Sequence, residues 1–286
     1  MAPLSVLMPV FNGEEYLSAA VESVLSQTYR DFEFLIVDDG STDSTLRILN
    51  GYASEDERLR IISREHKGLV ASLNELLGYA EGRFIARMDA DDISLPGRFS
   101  AQLRFLEENP DVVCVGGDYE AIDGDGRFLR TCRYFSTDDE IQELLLSGST
   151  HICHSTAMMR KDAVVAAGGY KDEYFLAEDL DLWLRLGEVG KLANLGQATL
   201  RVRFHNHSLS EQAGLRQREA ARAACEDAWE RRGTRGEFKG SLNWRPGGPD
   251  PALRYEHMLR YGDWAWYGKQ RRTTALYAMR AIRERP

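Results

Sequence analysis

Short apolar runs alternate with amphipathic stretches over the first 115 residues, the pattern of strands and helices taking turns. Leu4 to Val10 reads as a buried strand that Pro9 closes. Tyr16, Leu17, Ala20, Val21, Val24 and Leu25 then fall at helical spacing, with Asn12 and Glu15 placed as an N-terminal capping box. Glu33 to Val37 is a second strand, running into Asp38-Asp39-Gly40-Ser41. Ser41 or Thr42 is expected to cap the next helix, whose apolar side holds Leu46, Ile48 and Leu49. A third strand covers Leu59 to Ile62, and a helix covers Gly68 to Ala80 before Glu81-Gly82 stops it. Arg83 to Met88 is a strand, and a helix from Pro96 through Leu106 ends at Asn109-Pro110.

The alternation loosens after Val115. Gly124-Asp125-Gly126 separates Tyr119–Ile122 from Phe128–Arg133, which predicts a hairpin. Ser155 to Met159 and Thr199 to His205 read as strands, Gly168-Gly169-Tyr170 as a tight turn, and Glu178 to Leu186 as a helix. From Ser210 onward the pattern is helical, broken by a Gly/Pro-rich loop from Gly233 to Pro251. Strands alternating with helices in this way predict an α/β fold.

Composition narrows the functional classes. The chain has 286 residues, 43% hydrophobic and 28% charged, enough for one large domain or one domain with an appendage. A net charge of -9 disfavours nucleic acid as a partner. No apolar run approaches the roughly 20 residues that span a bilayer. Met-Ala-Pro-Leu-Ser-Val lacks the basic flank and apolar core of a signal peptide. Cys114, Cys132, Cys153 and Cys225 form no CxxC pair, so a reduced, cytoplasmic protein is expected. The tail from Leu253 to Pro286 differs: it holds eight Lys or Arg against three Asp or Glu, and it is rich in Trp and Tyr. A helical hairpin packed on the main domain fits that composition. So does a basic, aromatic face for peripheral contact with the inner face of a membrane or for a lipid-linked acceptor.

The richest chemistry lies in Arg87-Met88-Asp89-Ala90-Asp91-Asp92. Three carboxylates within four positions follow the apolar run Phe84-Ile85-Ala86. Packed carboxylates raise one another's pKa unless a positive charge sits between them, and a hard divalent cation is the usual solution. The ends at Pro9–Asn12 and Asp38–Ser41 fall on the carboxyl edge of a parallel sheet, where open α/β folds bind ligands, and the acidic cluster would open on the same edge. The chain has neither GxGxxG nor GxxxxGK[ST], so dinucleotide redox chemistry and P-loop hydrolysis are poorly supported.

Ser5-Val6-Leu7-Met8-Pro9-Val10-Phe11-Asn12, Ile36-Val37-Asp38-Asp39-Gly40-Ser41-Thr42-Asp43 and Met88-Asp89-Ala90-Asp91-Asp92 resemble family-2 glycosyltransferases in order and spacing. Glu178-Asp179-Leu180-Asp181-Leu182-Trp183 resembles that family's downstream acidic motif. The resemblance spans residues 4 to 205. It implies a GT-A type fold: a Rossmann-like mixed sheet flanked by helices, here with a helical C-terminal extension. The expected division is a glycosyltransferase domain over 1–208, with a nucleotide-binding half (1–115) and an acceptor half (116–208), and the extension over 209–286. The implied reaction is inverting transfer of a hexose or N-acetylhexosamine from a nucleotide diphosphate sugar, with UDP favoured. The acceptor is a hydroxyl on a carbohydrate, a lipid-linked intermediate or a protein, in the making of cell-surface polysaccharide or glycoconjugate.

Residue by residue, the resemblance implies that Pro9, Val10 and Phe11 frame the base and ribose, with Glu14 close by. Asp39 takes a hydrogen bond from the base, and Asp89 lies on the ribose side. Asp91 is the ligand of Mn2+ or Mg2+. Gly68 and Asn74 match a helix-start segment near the nucleotide, with a plain helix start as the alternative. Asp179 is the candidate general base and Glu178 the runner-up. Arg185, four residues after Asp181, is spaced to pair with it on a helix and leave Asp179 free. His205 is a candidate near the metal. His154, Gly169, Tyr170 and Trp183 are assigned to the acceptor side, although a core position suits Trp183 as well. Asp92 is read as a cap for the segment leading to Pro96. Zinc is disfavoured, because His151, Cys153, His154, His205 and His207 make no second pair of a structural site. A catalytically silent sugar-nucleotide-binding module is the competing reading. A phospho-acceptor receiver domain is far shorter than this chain, and a nucleotidyltransferase would carry a Gly-rich basic loop where Val10-Phe11-Asn12-Gly13 stands.

Overall fold

In a computed structural model of the protein, residues 3–205, 209–240 and 251–283 are described. The apolar runs become β1 (Leu4–Val10), β2 (Phe32–Asp38), β3 (Leu59–Ser63) and β4 (Phe84–Arg87), joined by α1 (Leu17–Leu25), α2 (Thr45–Glu55) and α3 (Leu69–Tyr79). β1 pairs in parallel with β2 and β4, and β2 with β3. Every residue of β1 is buried, as expected for a parallel strand covered on both faces. Its alternate side chains serve two cores. Leu7 points with Leu35, Val37 and Ile85 into one; Val6 and Met8 point with Phe34, Ile36 and Phe84 into the other.

The chain continues through β5 (Ile93–Ser94), α4 (Arg98–Glu108), β6 (Val112–Asp123), β7 (Phe128–Cys132), α5 (Asp138–Leu146), β8 (Met158–Arg160), α6 (Lys161–Ala166), α7 (Glu178–Leu186) and β9 (Lys191–Phe204). All strands join one mixed sheet in the order β3-β2-β1-β4-β8-β6-β9-β5, with β7 hairpinned onto β6. β8 runs antiparallel to β4 and β6, and β9 runs parallel to β6. The predicted hairpin forms, with Gly126 at φ +79 in its turn. Thr199 to His205 proves to be the end of a strand that starts at Lys191; Gly196 and the polar Asn194 and Gln197 hide its first half from pattern reading. Of the stretch from Ser155 to Met159, His154–Thr156 is a 3-10 turn and the strand begins at Met158.

Two local expectations fail for a shared reason. Asn12 does not cap α1: it sits at φ +50, and its Oδ1 accepts the Thr42 N–H at 2.8 Å. Ser41 and Thr42 do not cap α2 either. Asp43 Oδ1 accepts the Thr45 N–H at 2.9 Å, and Glu14 Oε2 accepts the Ser44 N–H at 2.8 Å. Because β1 and β2 are parallel neighbours, their end loops lie side by side: Asn12 and Glu14 bond across the gap to the loop after β2, and Asp43 takes the place of Ser41 or Thr42 at the start of α2.

Beyond the sheet, α8 (Leu209–Arg231) is broken at Gly214 (φ 45, ψ -125) and packs Ala221, Ala224, Cys225 and Ala228 into the core beside α7. The tail forms α9 (Pro251–Tyr267) and α10 (Arg271–Arg283). This is the packed hairpin: Tyr261, Ala265 and Tyr277 bury against Ala121, Leu129 and Cys132 of β6 and β7. Among the described residues, no helix is long and apolar enough to cross a membrane. His207 and much of the Gly/Pro-rich loop lie outside the described residues.

Candidate active site

The carboxyl ends of β1, β2 and β4 meet on one edge of the sheet. At the first two, Phe11 is 48% exposed and its ring lies 4.4 Å from that of His66. Beneath them Asp39 is nearly enclosed. Its carboxylate accepts the Lys67 and Gly68 N–H groups at 2.8 and 2.9 Å, meets Arg64, and lies 2.9 Å from His66 Nδ1. Gly68 is at φ +92, a conformation that suits glycine, and it starts α3. Asp38, fully buried, accepts the Ser41 N–H at 3.1 Å and the Ser63 hydroxyl at 2.9 Å, so it shapes the loop. Pro9 and Val10 are buried strand-end residues, and Glu14 is spent on the start of α2.

The acidic cluster follows β4. One oxygen from each of Asp89, Asp91 and Asp92 lies within 4.8 Å of the others. Burial, then repulsion from Asp91 and Asp89, pushes the Asp92 carboxyl well above its usual range. Burial raises Asp89 too, with Arg87 opposing and Asp91 adding. The Oδ2 of Asp92 is buried and makes no hydrogen bond. Asp92 does not cap the segment before Pro96. Its Oδ1 accepts the Arg203 N–H at 2.8 Å, and Arg203 Nε donates to the Asp91 carbonyl at 2.9 Å, so the end of β9 clamps the loop. The same strand end delivers His205, whose Nε2 lies 2.9 Å from Asp91 Oδ2. Three close carboxylates, two of them (Asp89 and Asp92) with raised values, and an unsatisfied buried oxygen fit a hard divalent cation.

Across from the cluster, α7 begins with Glu178 and Asp179. Burial lifts Glu178 to about 7, with Asp179 adding. Burial lifts Asp179 to about 6, against the pull of Arg87. Glu178 Oε2 accepts the N–H of Leu176, which is held at φ +81. Asp181, fully buried, is bound through both oxygens by Arg185 at 2.5 to 3.2 Å, the pairing that its spacing predicts. Asp181 is thereby neutralised, and Asp179 is left open.

The remaining acceptor-side residues divide. His154 Nε2 lies 3.0 Å from the Tyr170 hydroxyl, and burial, aided by Arg87, pushes the imidazole well below its usual range. Gly168 and Gly169 both have positive φ, and a Cβ on Gly169 would come within 2.7 Å of Asn74 Oδ1. Asn74 bonds to this same turn. Its amide exchanges hydrogen bonds of 2.8 and 2.9 Å with the Tyr170 main chain, tying α3 to the Gly168–Tyr170 turn. Trp183 takes the core position that its sequence also suits: it is fully buried, with its ring 5.9 Å from that of His154. On α7 its direction is set by the amphipathic face, which here turns inward.

Arg87 is the residue that the motifs do not single out. It is 3% exposed, ion-pairs with Asp89, and bears on Tyr170, His154, Glu178 and Asp179, whose proton affinities it lowers. Arg98 Nη2 holds the Arg87 carbonyl at 2.8 Å and so fixes the strand end. The available signal is a cation closing an apolar strand, because Arg is almost never fully buried unless paired.

Comparison with known proteins agrees with this geometry. A family model described as "Glycosyl transferase family 2" matches residues 5–166. The chain is 38% identical over 205 residues to the putative glycosyltransferase EpsE of Bacillus subtilis, covering 70% of this chain and 72% of that protein. It is 33% identical over 214 residues to the O-antigen biosynthesis glycosyltransferase WbnJ of Escherichia coli, covering 73% and 83%. In fold it is similar to S. aureus TarS 1-349 in complex with UDP-GlcNAc, with a TM-score of 0.66 at 18% identity, over 99% of this chain and 81% of that one.

Proposed function

The chain belongs to glycosyl transferase family 2, and we infer from that premise and from the site that it moves a hexose or N-acetylhexosamine from a UDP-sugar to a hydroxyl acceptor, with inversion. One observation carries the reading. The acidic trio at the end of β4 and the Glu178–Asp179 pair at the start of α7 flank one buried cation, Arg87. Donor and acceptor chemistry thus face each other across a fixed charge.

The Phe11–Asp39 cradle receives the base. Arg64, His66, Lys67 and Gly68 already occupy Asp39, so a uracil N3–H reaches it by displacing the His66 ring, which is 57% exposed. Asp89 turns to the ribose. Asp91, with Asp92 beside it and His205 at its far oxygen, would hold Mn2+ or Mg2+, which when bound supplies positive charge against the departing diphosphate. Asp179 takes the proton of the attacking hydroxyl. A value of about 6 leaves it ionised at neutral pH and close enough to that pH for efficient proton transfer. One base on the face opposite the leaving group suffices for a single displacement, hence inversion. The Tyr170–His154 pair and the Gly168-Gly169 turn shape the acceptor side. Four cysteines free in the fold suit a reducing, cytoplasmic setting. WbnJ, named for O-antigen biosynthesis, favours a growing polysaccharide or glycoconjugate as acceptor.

Thermal shift against nucleoside diphosphates and sugar nucleotides, with and without Mn2+, tests the reading. A ligand at about 100 times its Kd adds about 2.7 kcal/mol of stability. UDP and a UDP-sugar should raise Tm further with Mn2+ than without, and Asp91→Asn should erase that increment. No shift with any metal–nucleotide pair would overturn the assignment.

A further inference from the structure

The α9–α10 hairpin has two apolar faces, and the sheet uses one. Inward, Met258, Tyr261, Trp264, Ala265 and Tyr277 pack on β6 and β7. Outward, Leu259, Trp266 and Tyr267 recur at one helical face of α9, with Trp266 63% and Tyr267 76% exposed. On α10 the outward face carries Ala275, Met279 and Ile282, the last 75% exposed. Exposed Lys269, Arg271, Arg272 and Arg283 rim this surface. Two acids share this side of α9, exposed Asp263 and half-buried Glu256.

We propose that this outer face docks the protein on an anionic membrane surface. Aromatic rings beside Lys and Arg, on helices too short and polar to span a bilayer, are the composition of an element lying in the headgroup region. Charge favours a lipid over another protein surface. The hairpin region is basic, eight cations against three acids, while the chain as a whole carries -9. A second copy meeting it hairpin to hairpin would set these cations against one another, whereas an anionic lipid surface attracts all of them. Anionic headgroups attract juxtamembrane cations, and the aromatic rings settle at the same depth.

The hairpin is also tied to the candidate active site. Trp264 meets Phe204 edge-on at 4.9 Å, and the next residue is His205, against Asp91. The Tyr277 hydroxyl donates to buried Asp123 at 2.7 Å, and Arg280 reaches Asp125 at 3.4 Å across the β6–β7 turn. Docking through α9 and α10 would therefore hold the metal corner of the site at a fixed distance from the lipid surface. The proposal does not depend on which sugar or acceptor the site uses.

Vesicle co-sedimentation of the full chain tests it, using phosphatidylcholine alone and phosphatidylcholine with about one third phosphatidylglycerol. The expected result is binding to the anionic vesicles only, weakened at high salt as screening shortens the reach of the cations. Arg271→Glu with Arg272→Glu, and separately Trp266→Ser with Tyr267→Ser, should each lower binding at least tenfold. These positions are exposed, so Tm and nucleotide-induced shifts should stay unchanged. Equal binding to both vesicles, or to neither, would overturn the proposal. So would a concentration-dependent dimer, seen by light scattering, that Trp266→Ser abolishes.

Discussion

Replacing Glu178 with Gln should stabilise the protein at alkaline pH and leave it nearly unchanged at acid pH. Glu178 is 6% exposed, and its carboxyl is pushed from 4.5 to about 7, first by burial and then by Asp179. A folded-state value above the unfolded one means that the folded chain binds the extra proton between those two values. The group's contribution is therefore most favourable at low pH, and stability is lost as pH rises through the window from 4.5 to about 7. At about 1.36 kcal/mol per pH unit, the buried charge costs about 3 kcal/mol at pH 8 and under about 1 kcal/mol at pH 5. Gln keeps an oxygen for the Leu176 N–H, which Glu178 accepts at 2.8 Å, and has no charge to desolvate. Urea unfolding at pH 5 and pH 8 measures the difference, and a melt should show roughly 2–4 °C for each kcal/mol. Wild type and Glu178→Gln losing stability in parallel between the two pH values would show that Glu178 is not held as a strained acid.

Other outcomes follow from the same geometry. Asp179→Asn should cut turnover by about 10²–10⁴-fold while a UDP-sugar still raises Tm, since this carboxylate is placed on the acceptor side; unchanged turnover would remove it from the chemistry. In the wild type, turnover should fall as pH drops through about 6, where Asp179 takes up a proton and ceases to act as a base; a pH–rate profile flat across that range would refute the role. Arg185→Met leaves Asp181 buried and unpaired, so it should cost about 3–5 kcal/mol in urea unfolding; a loss below about 1 kcal/mol would refute the stabilising role of the pair.

The first 115 residues were legible because their physics is local. Each parallel strand there is a short apolar run bounded by polar loops, and β1, β2 and β3 lie within a residue or two of their expected bounds. The stretch from 116 to 208 was less legible because its strands are held by partners distant in sequence. β9 runs 14 residues beside β6, yet its first half carries Gly, Asn and Gln and shows no alternation. The caps were misread for the opposite reason. Sequence assigns Asn12 to the nearest helix and Ser41 or Thr42 to the next, whereas parallel pairing of β1 with β2 sets Asn12 and Glu14 against the loop after β2 and leaves Asp43 to cap α2.

The site shows the same limit at closer range. Motifs name carboxylates, because acids clustered at strand ends are conspicuous, but they do not name what makes the cluster tolerable. Asp89, Asp91, Asp92, Glu178 and Asp179 would put five acids around one space. A single apolar-to-polar step at the end of β4 decides whether that space can exist without a cation in it. Arg87 takes that position, fully enclosed, against Asp89 on one side and near Glu178 and Asp179 on the other. Its carbonyl is fixed by Arg98, and the neighbouring loop is fixed by Arg203. Removing Arg87 would raise the proton affinities of Asp89, Glu178 and Asp179, and removing Arg98 or Arg203 would free the backbone that positions the cluster. The chemistry of the acidic motifs is therefore set by basic residues that lie outside them.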